Sequence, residues 1–241
     1  CALASSVFLF HFAWFSPWYV EDAAISFSFA RNAAMGEGFV GYPGGERVEG
    51  FSNPTWTLLL TGGEWLGLKS WVMAKVWGAT FGLLGLPLAM RWFQEIRPER
   101  GDYFAALPPL FLAMSPQYVM WASSGLENAL LSTLIASASL QMLREIRRGG
   151  VPWSALLWAL VAISRPEAPL YAFVGGVVGG VILLSSQGWR RLLFWAPRWI
   201  ALCAAVFLLW HGWRWAYFAW EFPNTYYAKL DGTSRFLPWS W

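Results

Sequence analysis

The chain has 241 residues, of which 57% are hydrophobic, 19% are aromatic and only 13% are charged. A soluble domain carries about 25% charged residues, so this composition excludes an ordinary water-soluble protein and predicts an outer surface that contacts lipid. The net charge is +3, and the basic residues lie in short scattered clusters rather than on one face, which argues against nucleic acid as a partner.

Long apolar runs alternate with polar loops along the chain, and most runs have close to the roughly 20 residues that a helix needs to cross a bilayer. A shorter run from Trp153 to Ser164 continues into the next through Arg165-Pro166-Glu167, where proline interrupts the helix. We therefore expect an all-α bundle of about seven membrane-spanning helices in a single domain, residues 1–241, truncated at both ends. The long runs are residues 1–19, 71–91, 104–121, 126–143, 168–186 and 197–217.

Short basic loops predict the orientation of this bundle, because loops rich in Lys and Arg remain in the cytoplasm. Counting spans from those loops places residues 20–70, 122–127, 165–167 and 218–241 on the opposite, extracytoplasmic side. This count holds only if the stretch from Pro54 to Leu66 does not cross the membrane, so we expect an interfacial helix within a long first outer loop. The basic loops contain Arg91, Arg97, Arg100, Arg144, Arg147, Arg148, Arg190, Arg191 and Arg198.

The cysteines and histidines do not form a pattern typical of metal or redox chemistry. Cys1 and Cys203 lie in apolar surroundings without ligand spacing. His11 and His211 each lie within an apolar run without a second ligand nearby, which favours helix packing. The sequence therefore predicts no metal site, although a contact between the two histidines would change that interpretation.

Two adjacent carboxylates, Glu21 and Asp22, follow the first apolar run. Charges at that depth are costly unless they meet water or a partner. Adjacent side chains on a helix diverge by about 100°, so the two carboxylates are not expected to chelate one ion unless the helix has ended. Either they form an ordinary polar end to the span, or one faces a reaction centre while the other holds the loop.

Further polar clusters occur in the other outer loops, and each has a plain structural interpretation as well. The Gly- and Pro-rich loop before Asn53 carries Arg47 and Glu49, as a solvated loop would. Glu127 precedes a helix, where its charge suits the helix dipole. Arg165 and Glu167 flank a proline between two apolar runs, so they either border a water-filled cavity or pair with each other.

Taken in order, several short strings resemble the bacterial GT-C membrane glycosyltransferases related to the mycobacterial terminal arabinofuranosyltransferase. The family usually has two aspartates followed by Ala-Tyr-Ile in the first string, so Asp22 keeps the second acidic position while Glu21 and Ala24 depart. The strings are Glu21-Asp22-Ala23-Ala24-Ile25-Ser26-Phe27, Arg31-Asn32, Gly36-Glu37-Gly38, Gly45-Glu46-Arg47-Val48-Glu49-Gly50-Phe51-Ser52, Ser124-Gly125-Leu126-Glu127, Arg165-Pro166-Glu167 and Pro223-Asn224-Thr225-Tyr226-Tyr227-Ala228-Lys229.

The resemblance implies a GT-C fold in the bacterial cytoplasmic membrane. It also implies transfer of arabinofuranose, or another pentose or hexose, from a polyprenyl-phosphate donor to an extracytoplasmic glycan, lipid or protein acceptor. Lys or Arg side chains can neutralise a lipid monophosphate leaving group, so no cofactor is required and a divalent metal has no support in the sequence.

A carboxylate can take the proton of the acceptor hydroxyl, and the resemblance allows roles to be assigned on that basis. Asp22 is the first candidate for the catalytic base and Glu21 the second. The candidates for binding the donor phosphate are Arg47, Arg165 and Lys229. The candidates for binding sugar hydroxyls or holding the cations are Glu49, Asn53, Glu127, Glu167, Asn224, Tyr226 and Tyr227.

Two other functions remain open at this point. A non-catalytic membrane subunit of a larger complex, built on the same scaffold, would tolerate the changes at Glu21 and Ala24 and would bind additional subunits. A lipid or sugar transporter would need polar groups near the membrane midplane and access from both sides. The sequence instead places nearly all its polar groups at the outer side, which disfavours transport.

Overall fold

The computed structural model describes residues 1–99, 102–219 and 224. These residues form helices joined by turns, and none of them lies in a strand, which confirms the predicted all-α class. The helices are Ala2–Phe15 (α1), Ala23–Ala34 (α2), Pro54–Trp65 (α3), Ser70–Ile96 (α4), Asp102–Ala105 (α5), Leu107–Met114 (α6), Pro116–Ser123 (α7), Asn128–Arg148 (α8), Ser154–Ala162 (α9), Ala168–Gln187 (α10) and Trp189–Phe218 (α11).

Three helices among the described residues, α4, α10 and α11, are long and apolar enough to cross a membrane. Only 17% to 28% of their most apolar stretches is buried within the chain, so most of these side chains face outward. Such a surface would be unfavourable in water and is suited to lipid, so this is a membrane protein. The sequence predicted about seven membrane-spanning helices, and the lengths of the described helices do not confirm that number.

Proline residues end several of the apolar runs before they reach spanning length. The first run gives α1, which has 14 residues and ends at Phe15, just before Ser16-Pro17. The run at residues 104–121 divides at Ser115, where α6 ends and α7 begins with Pro116. A proline lacks the N–H donor and clashes with the preceding turn of a helix, which favours the end of α1 before Pro17 and the start of a new helix at Pro116.

The helix α3 starts at Pro54 and has 12 residues, too few for a straight span. Its Trp56 and Leu60 side chains are fully buried in a cluster with Ala30 of α2 and Ala74 of α4. This packing fixes α3, and Asn53 before it, against the neighbouring helices. Whether α3 lies at the membrane interface stays a prediction.

Two larger apolar clusters flank this arrangement. One joins α8, α9, α10 and α11 around Trp158 and Trp199, and the other joins α1, α4, α6, α7 and α8 around Phe8. Between α9 and α10 the chain breaks, and Arg165, Pro166 and Glu167 lie in that break. The turns at residues 49–53, 124–127 and 165–167 therefore extend from packed helices, which allows them to hold polar side chains in fixed positions.

Candidate functional site

A chain of hydrogen bonds begins at Asn53, immediately before α3. The Ser26 hydroxyl of α2 donates to Asn53 Oδ1 at 2.8 Å, and the Thr57 hydroxyl donates to the same oxygen at 3.2 Å. The Asn53 amide nitrogen Nδ2 in turn donates to Glu127 Oε2 at 2.6 Å. Asn53 is buried, so its amide connects α2 and α3 to the turn that carries Glu127.

Glu127 connects this chain of hydrogen bonds to Arg165. Arg165 Nη1 donates to Glu127 Oε1 at 2.7 Å, and Arg165 Nε donates to Glu167 Oε1 at 2.6 Å. Burial alone would lower the pKa of Arg165, but the carboxylates of Glu127 and Glu167 raise it above its ordinary value. The guanidinium therefore remains charged. Its pairing with Glu167 is one of the two alternatives that the sequence left open for Arg165.

The exposed fractions of these side chains decide which of them can meet a ligand. Glu127 is 3% exposed, whereas Arg165 is 31% and Glu167 45% exposed. Glu127 makes no capping hydrogen bond to α8 with its side chain, so it acts through Asn53 and Arg165 rather than as the helix cap that its position indicated. Arg165 and Glu167 present the accessible surface of this cluster.

A second ion pair, between Glu49 and Arg214, lies nearby. Arg214 Nε donates to Glu49 Oε2 at 2.5 Å, and the two side chains are 5% and 2% exposed respectively. Burial raises the pKa of Glu49 to about 7, although the charge of Arg214 and its hydrogen bond oppose that shift. The Asn224 backbone N–H donates to the Glu49 carbonyl at 2.8 Å, which brings Asn224 to the same loop.

A cavity of about 150 Å³ lies between the two ion pairs. Glu49, Arg214 and Arg165 all line it, and His211 and Trp210 form part of the wall. Pockets for drug-sized ligands occupy roughly 300 to 1,000 Å³, so this cavity can hold only a small polar group or a few waters. The structure thus brings together the predicted residues Glu49 and Arg165.

The predicted catalytic pair lies at the turn that leads into α2. Glu21 and Asp22 are both exposed, and Asp22 is the last residue before the helix. Asp22 has helical backbone angles and precedes Ser26 by four residues, so the two share one face of α2. Asp22 therefore lies one turn from the Ser26 end of the hydrogen-bonded chain, and Glu21 lies in the turn just before it.

Lys75 of α4 holds this turn in place, and the sequence analysis missed it. Its ammonium group donates to the backbone carbonyls of Trp18 and Ser123, and it lies 3.7 Å from the centre of the Tyr19 ring. The Val20 N–H donates to the Ser124 carbonyl at 3.0 Å and joins the same two segments. A single lysine within the apolar run at residues 71–91 was the available signal.

The remaining candidates lie apart from this network or outside the described residues. Arg47 is exposed, and its guanidinium lies 5.0 Å from the Tyr217 ring of α11. Tyr226, Tyr227 and Lys229 lie outside the described residues. Within the described ranges, no group of three or more His, Cys, Asp or Glu side chains is arranged to hold a metal ion.

The pKa of Glu49 gives a testable pH dependence of stability. Its pKa is higher in the folded protein than the ordinary value of 4.5, so the folded state binds this proton more tightly than the unfolded chain does. The contribution to stability is complete below about pH 4.5 and is lost as the pH rises through about 7.

The melting temperature of the wild type, relative to that of Glu49→Gln, should therefore fall as the pH rises from about 5 to about 8. Thermal unfolding of both proteins in the same detergent measures this difference. A difference that does not change over this range would contradict a raised pKa at Glu49.

Replacing Lys75 tests its role in holding the turn. Lys75→Met removes the donor shared by the Trp18 and Ser123 carbonyls, and a hydrogen bond to a charged group contributes about 1.5 to 3 kcal/mol. We expect faster hydrogen exchange at the amides of residues 20–25, measured by mass spectrometry. Lys69→Met is the matched control, since Lys69 is exposed just before the same helix and should leave exchange unchanged. Equal exchange in the two variants would remove this role from Lys75.

The chain is similar to two curated proteins named terminal beta-(1->2)-arabinofuranosyltransferase. It is 25% identical over 244 residues to the protein of Mycobacterium tuberculosis, an alignment that covers 90% of this chain and 36% of that relative. It is 26% identical over 258 residues to the protein of Corynebacterium glutamicum, covering 95% of this chain and 35% of the relative. The chain thus spans about a third of the length of both relatives.

No family model and no solved structure matches the chain. The two relatives nevertheless align with almost all of it, including the region that carries the polar turns. The resemblance to the terminal arabinofuranosyltransferases, which the short strings predicted, is confirmed.

Proposed function

We propose that this chain is a membrane part of a glycosyltransferase that moves a sugar from a polyprenyl-phosphate donor to an extracytoplasmic acceptor. The observation that carries the proposal is the hydrogen-bonded chain from Ser26 through Asn53 and Glu127 to Arg165. An exposed carboxylate, Asp22, lies near one end of this chain and a partly exposed guanidinium at the other. The names of the two relatives, which are arabinofuranosyltransferases, support the same reaction class.

On the donor side, Arg165 is suited to a phosphate leaving group. Its guanidinium has five N–H donors, of which two are used by Glu127 and Glu167. The other donors can bind phosphate oxygens through charge-assisted hydrogen bonds. The two carboxylates also fix the plane of the guanidinium, so a bound phosphate would be held in one orientation.

Arg165 alone does not give this region a positive charge. Its single positive charge is outweighed by the two negative charges of Glu127 and Glu167. A second cation is therefore needed to bind an anion. Arg47 and Lys229 are the further cations that we propose for the phosphate.

On the acceptor side, Asp22 is proposed to take the proton of the attacking hydroxyl. The acceptor oxygen bonds to the anomeric carbon while the bond from that carbon to the phosphate oxygen breaks. The electron pair of that bond leaves with polyprenyl phosphate, and the hydroxyl proton goes to the Asp22 carboxylate. Glu21, the adjacent exposed carboxylate, is the second candidate for the base.

The burial of the other predicted residues divides their proposed roles. Asn53, Glu127 and Glu49 are each less than 5% exposed, so we propose that they hold Ser26, Arg165 and Arg214 in position. Glu167 is the accessible carboxylate beside Arg165 and is proposed to accept hydrogen bonds from sugar hydroxyls. Asn224, Tyr226 and Tyr227 are proposed to complete the sugar site.

The cellular setting is proposed together with the reaction. We propose that the chain lies in the bacterial cytoplasmic membrane with its polar turns outside, because a polyprenyl donor and the apolar helices both require a bilayer. The acceptor is an extracytoplasmic glycan, lipid or protein, and additional subunits are compatible with this assignment. No cofactor is proposed, because Arg and Lys side chains supply the positive charge that the leaving group needs.

Asp22→Asn tests the assignment of the base. The substitution keeps the shape of the side chain but removes its capacity to accept a proton, so transfer should fall by about 10²- to 10⁴-fold. The measurement is transfer of a radiolabelled sugar from decaprenyl-phosphate arabinose to an oligosaccharide acceptor by the full-length protein in detergent. Glu46→Gln is the matched control, since Glu46 is an exposed carboxylate of the same outer loop.

We expect Glu46→Gln to transfer at the wild-type rate and both variants to unfold at the wild-type temperature. Wild-type transfer by Asp22→Asn would contradict the base assignment. A wild-type protein that binds the donor but transfers no sugar to any glycan, lipid or protein acceptor would favour the non-catalytic subunit.

A further inference from the structure

A groove of about 770 Å³ runs between α8 and α10, and Trp92 and Ile96 of α4 also line it. Its walls are almost entirely apolar, and Trp158 of α9 lies behind Gly175 of α10, where a β-carbon would collide with the indole ring. Gly179 approaches Met142 of α8 in the same way. These glycines allow α10 to approach Trp158 of α9 and Met142 of α8 closely, and all four residues line the groove.

The length of the groove suits a lipid chain. Along α10 it extends from Leu170 to Ile182, and the twelve steps between these residues span about 18 Å at the α-helical rise. Half of the roughly 30 Å hydrocarbon core, the depth of one leaflet, is about 15 Å. Leu143, Val174 and Val178 line the middle of the groove, so no charged side chain interrupts its apolar wall there.

An arginine cluster lies at one end of the groove. Arg147 lines that end, and with Arg144 and Arg148 it surrounds the carboxylate of Glu95 at distances of 3.2, 3.5 and 3.7 Å for Arg147, Arg144 and Arg148 respectively. The arginine side chains are 33% to 70% exposed, whereas Glu95 is 13% exposed. Three guanidinium groups against one carboxylate leave an excess of two positive charges.

The cluster also has hydrogen-bond donors to spare. Each guanidinium has five N–H donors, and Glu95 offers two carboxylate oxygens together with the backbone carbonyl that accepts from Arg147. Glu145, the other carboxylate of this part of α8, accepts hydrogen bonds from Ser154 and Gln141 instead and does not pair with these arginines in the described contacts. An anion with several oxygens matches this arrangement.

We propose that this groove binds an anionic phospholipid, with the phosphate on Arg147 and its neighbours and an acyl chain between α8 and α10. A basic pocket that adjoins an apolar groove between membrane helices matches an anionic headgroup joined to a chain. A free phosphate would leave the groove empty, and a zwitterionic lipid would leave the excess charge unbalanced. The acyl chain of the bound lipid would contact the apolar side chains of both α8 and α10.

This assignment is independent of the proposed sugar transfer. The proposed donor phosphate lies at Arg165, just before the opposite end of α10, so a lipid with its phosphate at Arg147 faces the other way. The groove is therefore assigned to a phospholipid of the membrane rather than to the glycosyl donor. The two lipids are distinguishable by mass.

Native mass spectrometry of the full-length protein, stripped of lipid in detergent, tests the assignment. Phosphatidylglycerol added to the protein should bind more tightly than phosphatidylcholine with the same acyl chains. Arg147→Gln should weaken phosphatidylglycerol binding about fivefold, as the loss of one basic contact predicts. Val178→Trp should also weaken it, because the indole fills the groove and leaves the arginines unchanged.

Arg190→Gln is the matched control, because it removes one positive charge from an exposed position at the start of α11, where Arg190 contacts Trp189. It should bind phosphatidylglycerol as the wild type does. Equal binding of the two phospholipids, or equal losses in Arg147→Gln and Arg190→Gln, would overturn the proposal. The proposal would also be overturned if the stripped protein bound added polyprenyl phosphate rather than phospholipid and if Val178→Trp abolished that binding. The groove would then belong to the glycosyl donor.

Discussion

The candidate site depends on the buried carboxylate of Glu127. An ionised carboxylate that is removed from water costs several kcal/mol unless close partners compensate, and in this protein Asn53 and Arg165 supply them. The turn that carries Glu127 is fixed as well, since the Trp56 indole N–H donates to the Gly125 carbonyl at 3.0 Å. Gly125 has a φ of 91°, a left-handed conformation that glycine adopts without strain. Three segments distant in sequence are thereby held around one charge.

Helix ends provide these segments, because an interrupted helix leaves a short turn whose backbone and side chains remain available. Pro54 starts α3 directly after Asn53, and Pro166 lies in the break between α9 and α10. The Thr55 hydroxyl donates to the Ser164 hydroxyl at 2.8 Å, so the start of α3 also contacts the end of α9. The lipid-facing lengths of α10 and α11 lead to this polar region, which is where we propose that the lipid-linked donor meets its acceptor.

The sequence was sufficient to select several residues of the site but not to pair them. Arg165 and Glu167 were expected either to border a water-filled cavity or to pair with each other, and the structure shows the pair. The approach of Glu127 to both Asn53 and Arg165 depends on the packing of α3, α8 and α9. Tertiary packing of this kind cannot be predicted from a short stretch of sequence. The sequence explained Glu127 by the helix dipole, or by binding a sugar or holding a cation, but it did not identify Asn53 and Arg165 as its partners.

Arg214 and Lys75 were missed for a related reason. Both lie inside apolar runs of the sequence. The mean hydropathy of such a run stays high when it contains one charged residue, so the charge is easily overlooked. Their partners, the Glu49 carboxylate and the Trp18 and Ser123 carbonyls, come from distant loops. Helix lengths were overestimated for the same reason. Pro17 and Pro116 interrupt the helices, but they hardly change the mean hydropathy of the runs that contain them.

The most direct test of the role of Glu127 is a double-mutant cycle with Arg165. The free energy of unfolding would be measured in one detergent for the wild type, Glu127→Gln, Arg165→Gln and the double variant. If Glu127 holds the turns together through Arg165, the single variants lose stability, and the double variant loses less than the sum of the two losses, by about 1 to 3 kcal/mol. Strictly additive losses would contradict a central role for the Glu127 carboxylate in holding the site together.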